Sequence, residues 1–257
     1  MAGAVRKSKL DEIAEKIESM ASDLKAGVAF NIFAWKQLHR DIEQFEKIPG
    51  YYGASLLNQA VMWSFRGDLI EMKRLFNRYA GEIGKDWDWY LIVANMAPKL
   101  GDVEGVVGML SYEYPHNDKF KLAQVAEICG QAGFFIAAKK AFARLAELDS
   151  EMAARVMSRT NQYIVAAAEY MLDHGLSEKD VAERLVFASR AVVELGHRLS
   201  SYSVTANEFG ITVEFAVRAS FEEIIELDFS ITERLVSKFE DVMSEHVSIG
   251  VLPVEVA

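Results

Sequence analysis

The side chains able to do acid–base, nucleophilic or metal chemistry are few and scattered along this sequence. Its five histidines, His39, His116, His174, His197 and His246, show no ligand spacing, and Cys129 is its single cysteine. His116, His174 and His197 fall near predicted helix ends, where an imidazole meets water or caps a carbonyl. Cys129 lies on an apolar helical face with no histidine at local spacing, so it reads as a small buried hydrophobe and not as a nucleophile. His39-Arg40-Asp41 has the letters of a kinase catalytic loop, but the glycine-rich loop, strand lysine and metal-binding Asp-Phe-Gly that must accompany it are missing. Asp228-Phe229-Ser230 sits inside an acidic helical pattern. No phosphate-binding glycine loop, nucleophile elbow or His-Glu-x-x-His occurs. Glu222/Glu223 and Glu240/Asp241 read as exposed helix surface. No catalytic residue, cofactor or metal is expected, with a site assembled from distant residues left open.

The elements that would position any site belong to a folded, helix-rich chain. Its 257 residues are 51% apolar and 26% charged, with only 4 prolines, enough for a sizeable core and too apolar for disorder. No stretch approaches the roughly 20 apolar residues of a membrane span, so none is expected. The opening MAGAVRKSKLDEIAEKIE turns charged where a secretory leader needs an apolar run. With no possible internal disulfide, a reducing, cytoplasmic setting is expected. Net charge is −10, unevenly spread: residues 51–150 hold 11 basic and 12 acidic side chains, whereas residues 202–257 hold 3 and 11. Without a basic face, nucleic acid is not an expected partner. The acidic C-terminal part is either a solvated helix face or a docking surface for a basic partner.

Leu10, Ile13, Ile17, Met20 and Leu24 recur at steps of 3 and 4, the seam of one arm of an N-terminal helical hairpin over residues 1–50. The other arm runs from Phe30 to about Glu46. Beyond it, three glycines fall between pairs of helical patterns: Gly67, Gly101 and Gly133, spaced by 34 and 32 residues. Each suits a left-handed residue that closes one helix and opens the next. Seven residues before them stand Ala60, Ala94 and Ala126; five after, Met72, Val106 and Ala138; nine after, Phe76, Leu110 and Phe142. The alanines would let paired helices approach closely, and the bulky residues would fill the space between hairpins. Trp63 and Phe76 are expected in the core.

A helical-hairpin period near 34 with these features resembles the tetratricopeptide repeat, over about residues 53–150. Alanine stands where that family places glycine before the turn. The resemblance implies a solenoid (residues 51–150, three TPR-like hairpins) whose first helices line a groove for a peptide or partner helix. By position, the groove residues would be Asn58, Arg66, Asn95, Lys99, Gln124, Glu127 and Gln131. Their amides can serve both donors and acceptors of a peptide backbone. Members that clamp a terminal carboxylate carry Lys and Asn where this chain has Leu57 and Val61, so an apolar or mixed ligand is implied.

The period then fails. Residues 151–174 and 178–197 predict two longer helices, with Ser177 as N-cap, closing the solenoid as a capping pair over 151–200. From residue 201 the pattern changes to period 2: Ile211, Val213, Phe215, Val217 and Ala219 alternate as a half-buried strand, paired with SYSVTA across NEFG. Ser220 and Glu223 form a capping box opening a helix to about Glu245, with Phe221, Ile224, Ile231, Leu235, Phe239 and Val242 on its apolar face. A last strand ends the chain, Pro253 marking an edge. The expected fold is therefore mainly α, a TPR-like helical-hairpin solenoid followed by a small acidic C-terminal α+β (ββαβ) module over 201–257. The expected function is protein–protein interaction, as an adaptor, chaperone or assembly scaffold. The rivals are an enzyme with its site between solenoid and C-terminal module, and a regulatory protein sensing a small ligand. Because a small sheet seldom stands alone, the module is expected either to pair with a second copy in a homodimer, the favoured outcome, or to pack on its own chain's helices.

Overall fold

The computed structural model describes residues 9–112, 114–159, 163–240 and 242–254. Among them are thirteen α-helices, a short 3-10 turn and three strands. The chain is mainly helical, with the sheet at its C-terminal end, and divides into two compact units, residues 1–89 and 90–257.

In the first unit, α1 (Lys9–Lys25) and α2 (Ile32–Phe45) follow one another as two helices. Asn31 caps α2, its side chain accepting from the N–H groups of Phe33 and Ala34. Ile13, Trp35, Leu38, Ile42 and Phe45 pack with Met62 and Phe65 of α3 (Tyr52–Phe65). Two polar ties fix that joint: Trp35 Nε1 donates to Met62 O at 2.7 Å, and Ser55 Oγ to Ile42 O at 2.7 Å. Gly67 (φ 73°) then turns the chain into α4 (Leu69–Glu82), capped by Asp68. Phe76 is buried as expected; Trp63 is only half-buried.

The second unit begins within α5 (Trp87–Asn95), followed by the single turn α6 (Ala97–Leu100) and by α7 (Glu104–Ser111). The expected middle hairpin is thus shorter and broken, with Pro98 in the first turn of α6 where a missing N–H does no harm. Ala94 is buried, and a Cβ built on Gly105 of α7 would stand 2.8 Å from its backbone nitrogen. Helices α8 (Lys119–Ala132) and α9 (Phe135–Leu148) make a regular hairpin around Gly133, whose φ is 86°. Ala60, Ala94 and Ala126 are all buried, as are Met72, Val106 and Ala138; of Phe76, Leu110 and Phe142, only Leu110 is half-exposed.

The helix expected over 151–174 is instead two, α10 (Ser150–Arg159) and α11 (Ile164–Asp173), with residues 160–162 outside the described part. Ser177 does cap α12 (Glu178–Glu194), accepting from Asp180 N–H at 3.3 Å. Helix α12 buries more than half its length. It lies across the turns of the two preceding hairpins, where a Cβ on Gly101 would stand 2.8 Å from Arg190 Cβ and one on Gly133 2.5 Å from Leu185 Cδ1. Arg190 Nη1 donates to Lys99 O, and Glu178 Oε1 accepts from Ala137 N–H at the start of α9.

The C-terminal module has the expected ββαβ order. Strand β1 (Leu199–Asn207) pairs antiparallel with β2 (Gly210–Val217), which pairs in parallel with β3 (Val247–Pro253); α13 (Phe221–Lys238) connects the parallel pair. Ile211, Val213, Phe215 and Val217 face one way and are buried, meeting Val204 of β1 and Val247 and Val251 of β3 in register. Helices α11, α12 and α13 pack on the sheet. The buried face of β2 is therefore covered within the chain. The capping box of Ser220 and Glu223 is present. The helix stops at Lys238, seven residues before the expected end, and a 3-10 turn occupies Val242–Glu245. Phe221 is exposed, not in the core; Leu227 joins Ile224 and Ile231 on the buried face. The Val242 side chain and Asp241 lie outside the described residues.

Candidate functional site

Of the seven positions marked by the sequence, Asn58 and Arg66 fall in the first unit. Asn58 is half-buried on α3. Arg66 is exposed and sits beside two indoles, its guanidinium carbon 5.0 Å from the Trp35 ring centre and 5.1 Å from that of Trp63. Such cation–π contact keeps the charge at the surface beside both rings.

The other five belong to the second unit. Asn95 is exposed at the end of α5; Lys99 on α6 is half-buried, its carbonyl taken by Arg190. Gln124, Glu127 and Gln131 share α8. That helix buries Leu122, Ala123, Val125, Ala126, Ile128, Cys129, Gly130 and Ala132, more than half its length. Gln124 and Gln131 are exposed, and Glu127 is half-buried. Steps of 4, 3 and 4 place Phe120, Gln124, Glu127 and Gln131 on one line. Phe120, which the glycine count does not mark, is 64% exposed at the head of this line. The arrangement offers two amides, a carboxylate and an aromatic face along about three turns of helix, the mixture suited to an extended backbone or a helix flank.

Cys129 is fully buried, and burial pushes its thiol well above the ordinary value. His39-Arg40-Asp41 lies within α2, and Asp228-Phe229-Ser230 within α13. His174 ends α11 as its C-cap, Nδ1 donating to Tyr170 O at 2.9 Å, the capping role expected of it. The fold adds a neighbour that sequence could not show: Tyr170 OH meets His246 Nδ1 at 2.9 Å, and the two imidazole centres are 5.4 Å apart. These bonds tie the approach to β3 onto α11. Among the described residues, no group of three or more His, Cys, Asp or Glu side chains is placed to hold a metal ion. None of the described helices is long and apolar enough to cross a membrane.

Two concavities stand out. In the first unit, a cleft of about 490 Å³ between α1 and α2 is lined by Met20, Leu24, Phe30 and Leu38, with Lys16, Asp23 and Asp41 at its polar parts. In the second, a groove of about 380 Å³ lies between the C-terminal half of α13 and the start of β3. Leu235, Val236, Phe239, Val247 and Ile249 line it, with Arg184 Cζ 4.4 Å from the Phe239 ring centre. No family model, no curated protein and no solved structure matches this chain.

Proposed function

We propose that this chain is a protein-interaction module, an adaptor or assembly scaffold, that holds a peptide or partner helix along the open line of α8. The observation that carries this is the contrast within one helix: α8 is buried on most of its circumference, yet Phe120, Gln124 and Gln131 face solvent in register. A helix so deeply packed is rigid, and rigid placement of polar groups lowers the entropy lost on binding. Left-handed glycines at equivalent turns and buried alanines in equivalent phase support the tetratricopeptide-like relation of the hairpins. That relation makes the first helix of each hairpin the ligand-facing one. The near neutrality of residues 51–150 suits a peptide and not a polyanion.

The test is selection from a displayed random-peptide library on the full chain, repeated with Gln124→Ala/Gln131→Ala. Peptides that bind the parent and are weakened at least tenfold by the double variant support the proposal. Peptides that bind both equally place the ligand elsewhere. Asn95→Ala, on α5, asks whether the contact extends beyond α8.

A further inference from the structure

Helix α13 has two apolar faces, and only one is used by the fold. Ile224, Leu227 and Ile231 are buried. Next to them run Phe221, Ile225, Phe229 and Val236, which are 69%, 42%, 73% and 70% exposed. With exposed Thr232 their spacing is 4, 4, 3 and 4, a straight row of about 22 Å along the helix. Singly exposed apolar side chains are ordinary; a contiguous row of this kind marks a contact surface. At its C-terminal end, Thr232 and Val236 also line the groove of about 380 Å³ with Leu235, Phe239, Val247 and Ile249, a socket large enough for one bulky side chain.

Charge decides among the occupants. Between Ala219 and Glu233 the sequence has five acidic side chains, Glu222, Glu223, Glu226, Asp228 and Glu233, and no basic one. Glu222, Glu226 and Glu233 are exposed, and by helical phase they border the row on the side away from the buried face. A second copy laid along the row would set carboxylates against carboxylates. An anionic lipid surface would be repelled in the same way. A helix needs side chains spaced by 3 and 4 to pack against such a row, and its neutralising charge must be positive.

We propose that the outer face of α13 is a docking site for an amphipathic helix of a partner protein, apolar on one side and rimmed with Lys or Arg. One bulky apolar residue of that helix seats in the groove between α13 and β3. The site stands independently of α8.

The test uses an 18-residue Leu/Lys amphipathic helical peptide, a scrambled peptide of the same composition, and the full chain, followed by fluorescence anisotropy. The amphipathic peptide is expected to bind and the scrambled one to bind at least tenfold more weakly. Phe229→Ser/Val236→Ser should lose binding tenfold or more with an unchanged circular dichroism melt, because both side chains already face solvent. Glu226→Lys/Glu233→Lys should weaken binding, and added salt should weaken the parent but not this variant. Equal affinity for the two peptides, or for parent and Phe229→Ser/Val236→Ser, overturns the proposal. Two further results would also overturn it: concentration-dependent dimerisation of the parent abolished by the serine pair, which assigns the row to a second copy, and binding to phosphatidylserine vesicles abolished by that pair, which assigns it to lipid.

Discussion

The Asp228 carboxylate accepts the backbone N–H of Val251 at 3.0 Å, placing a helix side chain over the outer edge of β3. Ile211 N–H donates to His246 O, and Val254 N–H to Val217 O, so the ladder to β2 uses the even-numbered residues of β3. The backbone N–H groups of the odd-numbered ones, Val247, Ile249 and Val251, point away from β2 toward the open edge. Asp228 takes the donor at 251, and Pro253 has none to offer, two devices that discourage strand addition. Asp228→Ala should lower stability by about 1 kcal/mol, through the lost bond and an uncovered donor. It should also raise the scattering of concentrated solutions. Asp228→Asn, which still accepts, should behave as the parent in static light scattering and thermal melts.

Gly67 and Gly133 allow two effects to be separated. Both have positive φ, 73° and 86°, but nothing lies within 4 Å of a Cβ built on Gly67, whereas one on Gly133 meets Leu185 Cδ1 at 2.5 Å and Ala182 Cα at 3.1 Å. Gly67→Ala should cost about 1–2 kcal/mol, the penalty of a left-handed alanine. Gly133→Ala should cost about 1–3 kcal/mol more, because α12 must move away. Equal melting temperatures for the two variants would remove α12 from its place across that turn.

Ala94 makes the same point within a hairpin. It is buried where Gly105 brings α7 against α5, so Ala94→Leu should overpack the joint by about 1–3 kcal/mol in denaturant unfolding. A variant that unfolds at the parent's midpoint would show that the two helices separate easily there.

These variants also mark what could be read from sequence. Gly67, Gly101 and Gly133 were legible because only glycine takes a positive φ without strain. The ββαβ order was legible because apolar period changes from 3.6 to 2 at a definite point. The path of α12 was not: its apolar pattern fixes that Val181, Leu185 and Val192 are covered, but not which surface covers them. Phe221 belongs to the apolar face by pattern but is exposed, because residue type does not say which of two adjacent apolar rows faces inward. His174 and His246 stand 72 residues apart, so no local spacing could announce their pairing. On α8, counting from Gly133 marks Gln124 and Gln131, which the structure leaves exposed. The count does not mark Phe120, exposed on the same line.

Glu178 bridges two helices, and what the bridge contributes depends on pH. It accepts the N–H of Ala137 at 2.7 Å, at the N-terminus of α9, whose own N-cap Phe134 supplies no side-chain bond. Burial pushes its carboxyl above the ordinary value, opposed by the N–H groups of Ala137 and Ile136. A raised carboxyl favours folding below its unfolded value, and that contribution is lost as pH rises through the folded one. Glu178→Gln keeps an acceptor without the charge, so it should be at least as stable as the parent at pH 7 and show a flatter profile above about pH 4.3. Glu178→Ala leaves the helix end uncapped and should cost about 1–2 kcal/mol. Thermal melts of the three proteins between pH 4 and 8 would decide; a steeper profile for the glutamine variant would reverse the sign assigned to burial.

The opposite sign applies to His39 in the first unit. Its ring stacks on Trp35 at 4.7 Å and meets Trp63 edge-on at 5.4 Å, while Nε2 is buried with no hydrogen-bond partner among the described residues. Burial holds its pKa below the ordinary value; Glu43, with Oε1 3.5 Å from Nδ1, works against that, and Arg66 adds to it. A depressed imidazole stabilises the fold above its unfolded value of about 6.5, and that contribution is lost as pH falls through the folded one. His39 is the only histidine in residues 1–89, and all four tryptophans, Trp35, Trp63, Trp87 and Trp89, lie there too. Tryptophan fluorescence therefore follows this unit, with one histidine titrating in it. The denaturation midpoint seen by fluorescence should fall between pH 7.5 and pH 5. His39→Phe keeps an aromatic ring against both indoles without a site for a proton, so its midpoint should change less over the same range. An identical pH dependence in the two proteins would transfer the effect to carboxylates and exclude His39 as its source.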